Sequence, residues 1–327
     1  MTQVVTARGD RRFPDGRKLS VDIAGDPEGT PVFLLHGTPG GRNGPRPRGI
    51  VLYRLGICLI SYDRPGYPGS DRVPDRGVAD AAADVKAIAE HFGIKKFSVV
   101  GRSGGGPHAL ACAAILRDRV ICAAAIGSLA PCDAEGLDWK FGMAISNAEA
   151  YRKAEEDDLG ALIAMLKEQA DRVRDNSEGL IKLLWPELVG HDKEVIGSRA
   201  LRRIISQVHA DALRESADGW IDDVVALSRP WNFKLSEITV PVKLWTGSDD
   251  KFSPASHTYW LAERISRPHL EIGKGAAHFG AVAVLPKILA WVAETADKEQ
   301  KAGRPADADG GRSVRSPSLA GASPSLV

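Results

Sequence analysis

The sequence predicts an α/β fold with a doubly wound, mostly parallel sheet and a helical cap inserted in the middle of the chain. Three observations lead to this fold class. Short apolar runs rich in β-branched residues alternate with helical patterns, which is typical of parallel sheets because parallel neighbours need a crossover connection. A glycine-rich turn joins one of these runs directly to a helix. A long middle segment contains helical patterns alone.

Six apolar runs predict the strands of this sheet. Most of them are continuous rather than alternating, which indicates strands that are buried on both faces. The predicted strands cover residues 32–35, 58–62, 97–100, 121–126, 242–245 and 270–272.

A helical pattern separates the second of these strands from the third. Val85, Ile88, Ala89 and Phe92 recur at helical spacing, so they line one face of a predicted helix. Gly93 follows directly and acts as a stop signal. The chain therefore alternates between strand and helix, as a doubly wound sheet requires.

The alternation stops in the middle of the chain, where no strand-like run occurs. Ser146 and Glu149 have the spacing of a capping box, and two apolar helical faces follow. The faces are formed by Leu159, Leu162, Ile163 and Leu166, and by Leu201, Ile204, Ile205 and Val208. We therefore predict a core of residues 1–131 and 232–297 and a helical cap of residues 132–231.

The C-terminal segment differs in composition from the rest of the chain. From Lys298 onward it is rich in Ala, Gly, Pro, Ser and Asp and shows no periodicity. Such a segment buries too little apolar surface to offset the entropy lost on ordering. The sequence therefore predicts a disordered tail over residues 298–327.

The overall composition is that of an ordinary soluble protein, 43% hydrophobic and 26% charged, with a formal net charge of +1. This balance gives no reason to expect a nucleic acid or an anionic membrane as partner. Residues 1–12 lack the apolar core of a secretory signal, and no apolar run approaches the roughly 18 residues of a spanning helix. The cysteines Cys58, Cys112, Cys122 and Cys132 form no C-x-x-C pair, so we expect buried, reduced thiols in a cytoplasmic protein. The oligomeric state is left open.

The pentapeptide Gly101-Arg102-Ser103-Gly104-Gly105 joins a predicted strand to a predicted helix. The G-x-S-x-G pattern places a serine on a sharp, strained turn, and its glycines allow the close backbone approach that the turn needs. The helix N-terminus then points at the serine hydroxyl and favours developing negative charge. A dinucleotide-binding loop is the alternative, but the glycine spacing is not G-x-G-x-x-G and the motif does not open the first βαβ unit. We therefore interpret Ser103 as a nucleophile.

A nucleophilic serine needs a general base and an acid that orients it, and both are expected in loops at the carboxyl ends of later strands. Asp249 and Asp250 follow the fifth predicted strand, and His278 follows the sixth. The chain order Ser, Asp, His matches one known order of catalytic triads. His36 also ends a strand and is a second candidate by position. The residues alone leave both aspartates open.

An oxyanion hole needs two N–H donors close to the nucleophile. One is expected from Gly104, the residue after Ser103. The other is expected in the loop after the first predicted strand, residues 36–41. Because Pro39 has no N–H group, Thr38 is favoured as the second donor.

Taken together, these residues resemble the α/β-hydrolase fold superfamily, in its serine hydrolase or esterase type with a Ser-Asp-His triad. The resemblance covers most of residues 13–296 and is weakest in the cap. In that family the acid falls three residues after a glycine, which favours Asp250 over Asp249, and His278 matches the base. Four motifs follow one another along the chain in the same order as in that family: His36-Gly37-Thr38-Pro39-Gly40, Asp63-Arg64-Pro65-Gly66-Tyr67, the pentapeptide at 101–105, and Gly247-x-x-Asp250.

The resemblance implies an enzyme that cleaves a carboxylic ester, or a related acyl bond, of a small molecule without a metal or an organic cofactor. Ser103 argues against an epoxide hydrolase or haloalkane dehalogenase activity, since the enzymes of this fold with those activities use an aspartate at that position. A prolyl-type aminopeptidase and a cofactor-free perhydrolase share the triad and stay open. A receptor that binds a ligand without turning it over is the alternative outside enzymes.

The cap is expected to supply the substrate pocket, because pockets are mostly lined by apolar and aromatic side chains. The large apolar residues of the predicted cap are therefore the candidates for its wall. These are Trp139, Phe141, Met143, Trp185 and Trp220.

Overall fold

A computed structural model describes residues 5–13, 15–156 and 158–302 of the chain, and these residues form an eight-stranded sheet. The strands are β1 (Val5–Arg12), β2 (Lys18–Gly25), β3 (Thr30–Leu35), β4 (Ile57–Tyr62), β5 (Phe97–Arg102), β6 (Val120–Ile126), β7 (Val242–Gly247) and β8 (Pro268–Gly273). Their order in the sheet is β1-β2-β4-β3-β5-β6-β7-β8.

The six predicted strands are confirmed, and the sheet is parallel from β3 to β8. The sequence missed β1 and β2, which pair antiparallel with each other and attach to β4 through β2. In β2 apolar residues alternate with polar ones, and the structure buries Ser20 and Asp22 among them. Arg46 forms an ion pair with Asp22, so the buried carboxylate has a compensating charge.

Helices cover both faces of the sheet. They are α1 (Gly49–Arg54), α2 (Ala81–His91), α3 (Gly105–Ile115), α4 (Ile145–Glu155), α5 (Leu159–Asp175), α6 (Gly179–Leu184), α7 (Gly190–Gly197), α8 (Arg199–Leu213), α9 (Asp218–Leu227), α10 (Ala255–Arg264) and α11 (Gly280–Ala302). Alternate residues of β3 enter different apolar layers: Phe33 and Leu35 pack with α2 and α3, and Val32 and Leu34 pack with α1 and α11. This two-sided burial explains why the central strands are continuous apolar runs.

Helices α4 to α9 lie between β6 and β7, the interval where the sequence predicts an inserted cap. We call these six helices the cap helices, and together the cap. The predicted capping box at Ser146 is wrong: α4 begins at Ile145, and the Ser146 hydroxyl donates a 2.6 Å hydrogen bond to Glu187 instead. Helix α5 does have a side-chain cap, because Asp158 accepts the N–H of Ala161 at 3.2 Å. Polar side chains in this segment therefore cap one helix and connect two other helical segments.

Helix α11 continues to Ala302, past the point at Lys298 where the sequence predicts loss of order. The rest of the predicted tail, residues 303–327, lies outside the described residues. Within the described ranges, no helix combines the length and the apolar character needed to cross a membrane.

The parallel strands bring the predicted functional loops to one edge of the sheet. The carboxyl ends of β3, β4, β5, β7 and β8 all lie on this edge because the five strands run in the same direction. In doubly wound sheets this edge carries the ligand site. The loops that contain Thr38, Arg64, Ser103, Asp250 and His278 therefore meet there.

Candidate active site

Ser103 occupies the turn between β5 and α3 in a left-handed backbone conformation, with φ of +53°. Such a conformation costs a residue with a side chain about 1–3 kcal/mol and persists only where the surroundings impose it. Two hydrogen bonds hold the turn: the Ser103 N–H donates to the Ile126 carbonyl at 2.8 Å, and the Ser103 carbonyl accepts from Gly106 at 2.8 Å. The strained turn predicted from the pentapeptide is thus present.

The glycines of this turn are required by close packing. A Cβ on Gly101 would lie 2.1 Å from the carbonyl oxygen of Gly105, and a Cβ on Gly104 would lie 2.3 Å from Oγ1 of Thr38. No side chain fits at either position without moving the backbone. The second contact also shows that the oxyanion candidates Thr38 and Gly104 are neighbours.

His278 lies in the loop between β8 and α11 and is hydrogen-bonded to Asp250. Its Nδ1 is 3.0 Å from Oδ1 and 2.9 Å from Oδ2 of that carboxylate. The backbone N–H groups of Phe252 and Ser253 donate to Oδ1 at 2.9 and 2.8 Å, so the carboxylate is fixed from behind. Asp249 is exposed and accepts a hydrogen bond from Ser248, so it is Asp250 that contacts the histidine.

The electrostatics of the pair favour a charged histidine. Burial alone disfavours the imidazolium form, but the carboxylate of Asp250 outweighs burial and raises the pKa of His278 above its ordinary value. A second buried carboxylate, Asp192, acts in the same direction. A base with a raised pKa accepts a proton more readily from a serine hydroxyl.

Asp192 belongs to α7, one of the cap helices, and the sequence did not indicate it. Its Oδ1 accepts the N–H of Phe279 at 2.8 Å, directly after His278. Its other oxygen is buried and has no hydrogen-bond partner among the described residues, and burial raises the pKa of the carboxyl. The neighbouring His191 accepts the N–H of Ala277 at 3.4 Å. Helix α7 therefore holds the histidine loop on both sides of His278.

The loop after β3 is oriented by a buried arginine from the loop after β4. Arg64 donates to the carbonyl of His36 at 2.6 Å and to the carbonyl of Gly37 at 3.0 Å. In a trans peptide the C=O and the next N–H point in opposite directions. Fixing the Gly37 carbonyl on Arg64 therefore directs the Thr38 N–H away from the arginine. In the described part of the chain, neither the Thr38 N–H nor the Gly104 N–H has an acceptor.

Asp223 of cap helix α9 completes this arrangement. It is fully buried and accepts from Nε of Arg64 at 3.1 Å, Nη2 of Arg76 at 2.6 Å, the Tyr67 hydroxyl at 2.8 Å and the Thr38 hydroxyl at 2.7 Å. Burial alone would raise the pKa of this carboxyl, but the two guanidinium groups lower it well below the ordinary value. Helix α9 is therefore bound to the loops after β3 and β4 through a buried ionic cluster.

His36, the second histidine candidate, has a packing role in the structure. It is buried against the ring of Tyr67, its Nδ1 is 2.8 Å from the Gly37 carbonyl, and its Nε2 accepts the N–H of Arg64 at 3.2 Å. Burial lowers its pKa well below the ordinary value, so the ring is neutral. Both ring nitrogens are already engaged, so of the two candidates His278 is the one that fits a base.

A cavity of about 1050 Å³, including its open mouth, lies between the sheet edge and the cap. Thr38, Ser103 and His278 border it from the core side. The cap side is mostly apolar. Its apolar lining comprises Ala150, Tyr151, Leu166, Leu180, Leu184, Ile205, Val208, Trp220 and Val224.

Of the five predicted wall residues, Trp220 alone lines the cavity. Phe141 is 74% exposed and Trp185 is 39% exposed, the latter beneath the guanidinium of Arg202. Met143 is buried in the apolar layer under the cap. These three predictions were wrong because the sequence around each residue has no periodicity that would show which way its side chain faces.

Trp139 was also predicted to line the cavity, and the structure places it inside the protein. Its indole N–H donates to the Ala130 carbonyl at 2.9 Å, and its ring packs edge-on against Tyr151 at 4.9 Å between centroids. Tyr151 itself lines the cavity. Trp139 therefore supports the wall from behind.

The described residues hold no group of three or more His, Cys, Asp or Glu side chains that could bind a metal ion. The four cysteines are free; Cys58, Cys112 and Cys122 are buried, and Cys132 is half-buried. Burial raises the pKa of the Cys58 thiol to about 12 and that of Cys132 to about 11.

Comparisons of the sequence and of the structure with known proteins agree on the fold. Residues 30–281 match the sequence profile of a family described as alpha/beta hydrolase fold. A proline iminopeptidase from Xanthomonas citri is 32% identical over 114 residues, which span 33% of this chain and only 35% of that protein. A non-heme haloperoxidase from Rhodococcus erythropolis is 23% identical over 76% of this chain and 86% of its own length. A solved structure of a thermophilic esterase from Thermogutta terrifontis superposes with a TM-score of 0.63 at 20% identity, covering 90% of this chain and 99% of that one.

Proposed function

Because the chain belongs to the α/β-hydrolase fold family, we propose that it cleaves a carboxylic ester, or a related acyl bond, of a small molecule through an acyl-enzyme on Ser103. One observation carries the proposal. Ser103, on a strained turn, borders the same cavity as His278, and Nδ1 of His278 is hydrogen-bonded to the buried carboxylate of Asp250. This is the arrangement that makes a serine hydroxyl nucleophilic.

In the first step Oγ of Ser103 attacks the acyl carbonyl and transfers its proton to Nε2 of His278. Asp250 keeps the Nδ1–H tautomer in place and stabilises the imidazolium that forms. The carbonyl oxygen becomes an oxyanion, which receives hydrogen bonds from the N–H groups of Thr38 and Gly104. Each such donor contributes about 3 kcal/mol to transition-state stabilisation in related sites.

The tetrahedral intermediate then collapses. His278 gives its proton to the leaving alkoxide, so an alcohol departs and the acyl group stays on Ser103. A water molecule, deprotonated by the same histidine, attacks the acyl-enzyme and releases the carboxylic acid. One ester and one water give one acid and one alcohol.

The cavity favours an ester hydrolase over an aminopeptidase. An aminopeptidase must bind the ammonium group of its substrate, for which a carboxylate is the usual partner. Among the described residues that line the cavity there is no Asp or Glu, and one of them, Arg102, carries a positive guanidinium. A positive site repels a substrate ammonium.

A panel of p-nitrophenyl esters of graded acyl length tests the proposal, with fluorophosphonate labelling run in parallel. We expect labelling and turnover in the natural protein and neither in Ser103→Ala. Labelling without turnover of any ester would support the receptor alternative. A further assay with acetate and hydrogen peroxide measures peracid formation, which is expected if hydrogen peroxide can replace water in the attack on the acyl-enzyme.

A further inference from the structure

Arg102 stands directly before Ser103 and lines the candidate active-site cavity. Within what the structure describes, its side chain forms no ion pair and no hydrogen bond. Other arginines nearby are paired: Arg64 with Asp223, and Arg42 with Asp63. Arg102 is therefore a half-buried charge without a partner in the described chain, which is costly unless something else compensates it.

The side chain stays charged despite this environment. Burial lowers the pKa of Arg102 to about 10, which still leaves the guanidinium protonated at neutral pH. Its Nη2 lies 3.8 Å from the position that a Cβ on Gly44 would occupy, against the loop that continues to the cavity-lining Pro45. In the described chain none of the five N–H donors of this group has an acceptor, so they can bind a ligand.

The surroundings of Arg102 contain a further donor and no competing acid. His209 of cap helix α8 also lines the cavity, and its Nδ1 is buried without a hydrogen-bond partner in the described chain. Burial, helped by the charge of Arg102, lowers the pKa of His209 to about 4, so the ring is neutral at pH 7. A neutral imidazole can donate one hydrogen bond. The described lining includes no carboxylate that would occupy the arginine first.

We propose that the cavity accepts an acyl substrate that carries a second, ionised carboxylate, and that Arg102 binds this carboxylate beside Ser103. The substrate class is the monoester of a small dicarboxylic acid. This inference rests on the proposed ester hydrolysis and adds that the acyl chain carries an ionised carboxylate. Planar guanidinium groups bind carboxylates through paired hydrogen bonds, which fixes the orientation of the acyl chain.

The test compares two esters that differ in one charge: the p-nitrophenyl monoester of glutaric acid and its neutral methyl diester. We expect the natural protein to prefer the charged ester by about tenfold or more in kcat/KM, since charge-assisted hydrogen bonds to an enclosed site have about this effect. In Arg102→Met the ratio of charged to neutral ester should fall by about tenfold to a hundredfold. Arg102→Lys keeps the charge without the planar fork and should retain part of the preference.

Arg203→Met is the matched control, because Arg203 is exposed on the same cap helix as His209 and does not line the cavity. Its ratio should stay within about twofold of the natural value, as expected for a solvent-screened charge. Melting temperatures of all variants show whether they are folded. An Arg102→Met variant that is folded and keeps the natural ratio, or a natural protein that prefers the neutral ester, would overturn the proposal.

A binding measurement separates this inference from the proposed function. Calorimetric titration of glutarate into Ser103→Ala, with and without Arg102→Met, requires no turnover. Binding that weakens at least tenfold on loss of Arg102 supports the carboxylate site even if every ester in the panel is inert. Equal glutarate affinity in the two folded variants contradicts it even if esters are hydrolysed.

Discussion

Substitution of Asp223 by asparagine is expected to destabilise the protein strongly. The carboxylate compensates two buried guanidinium groups, Arg64 and Arg76, and accepts hydrogen bonds from Tyr67 and Thr38. Removing one partner of a buried ion pair costs about 3–5 kcal/mol, because the remaining charge stays enclosed without compensation. An unmatched second arginine places Asp223→Asn at the upper end of this range.

The assay is urea unfolding, followed by fluorescence of the tryptophans, with Asp222→Asn as the control. Asp222 is the adjacent residue on α9 and pairs with Arg72, whose side chain is 42% exposed. Asp222 itself is 8% exposed, but the arginine that it would leave behind is reached by solvent, so the control should lose less stability than Asp223→Asn. Equal losses in the two variants, or a loss below about 1 kcal/mol in Asp223→Asn, would refute the role of the buried cluster.

The pH dependence of this difference follows from the lowered pKa of Asp223. A carboxyl whose folded pKa lies below its unfolded value of about 4 stabilises the fold at every pH above that value. The stabilisation is lost only as the pH falls through the lowered pKa. The gap between the natural protein and Asp223→Asn should therefore be constant from pH 7 to about pH 5 and should narrow only in strong acid.

Further predictions concern the base, the acid and the cavity wall. The acid limb of kcat/KM should titrate above pH 6.5, since His278 must be neutral to act and its pKa is raised. Asp250→Asn should lower kcat by as much as about ten-thousandfold, by analogy with the trypsin triad, and move this limb to lower pH, whereas exposed Asp249→Asn should change kcat little. A larger loss in Asp249→Asn would contradict the assignment. Trp220→Ala should shift the preference among ester chain lengths by about tenfold or more. Trp139→Ala should lower stability by about 3–5 kcal/mol and change the preference less than Trp220→Ala does, since Trp139 reaches the cavity only through Tyr151. Chain-length profiles and unfolding curves of the two variants test this.

The nucleophile turn was predictable because its residues are consecutive. Strand, turn and helix are all specified locally, and the close approaches at Gly101 and Gly104 involve neighbours along the chain or one adjacent loop. The choice of Asp250 over Asp249 was not local, since both residues suit a turn. It needed the family resemblance, and the hydrogen bonds to His278 then supplied a physical reason.

The parts that the sequence did not reveal depend on contacts between distant segments. Thr38 and Asp223 are 185 residues apart, and Asp192 reaches the histidine loop across 87 residues. Nothing near either aspartate marks it as different from a solvated acid on a helix. Four of the five wall residues were predicted wrongly for the same reason, because tertiary packing decides that Trp220 faces the cavity while Trp139 lies behind it.

The central claim is that an acyl group is carried on Ser103. The most direct measurement is rapid quenching of the reaction with p-nitrophenyl acetate, followed by peptide mapping by mass spectrometry. We predict a burst of one p-nitrophenolate per active site and an acetyl group on the peptide that contains Ser103, with both absent in folded Ser103→Ala. An acetyl group on another residue, or ester hydrolysis that persists in Ser103→Ala, would contradict the claim.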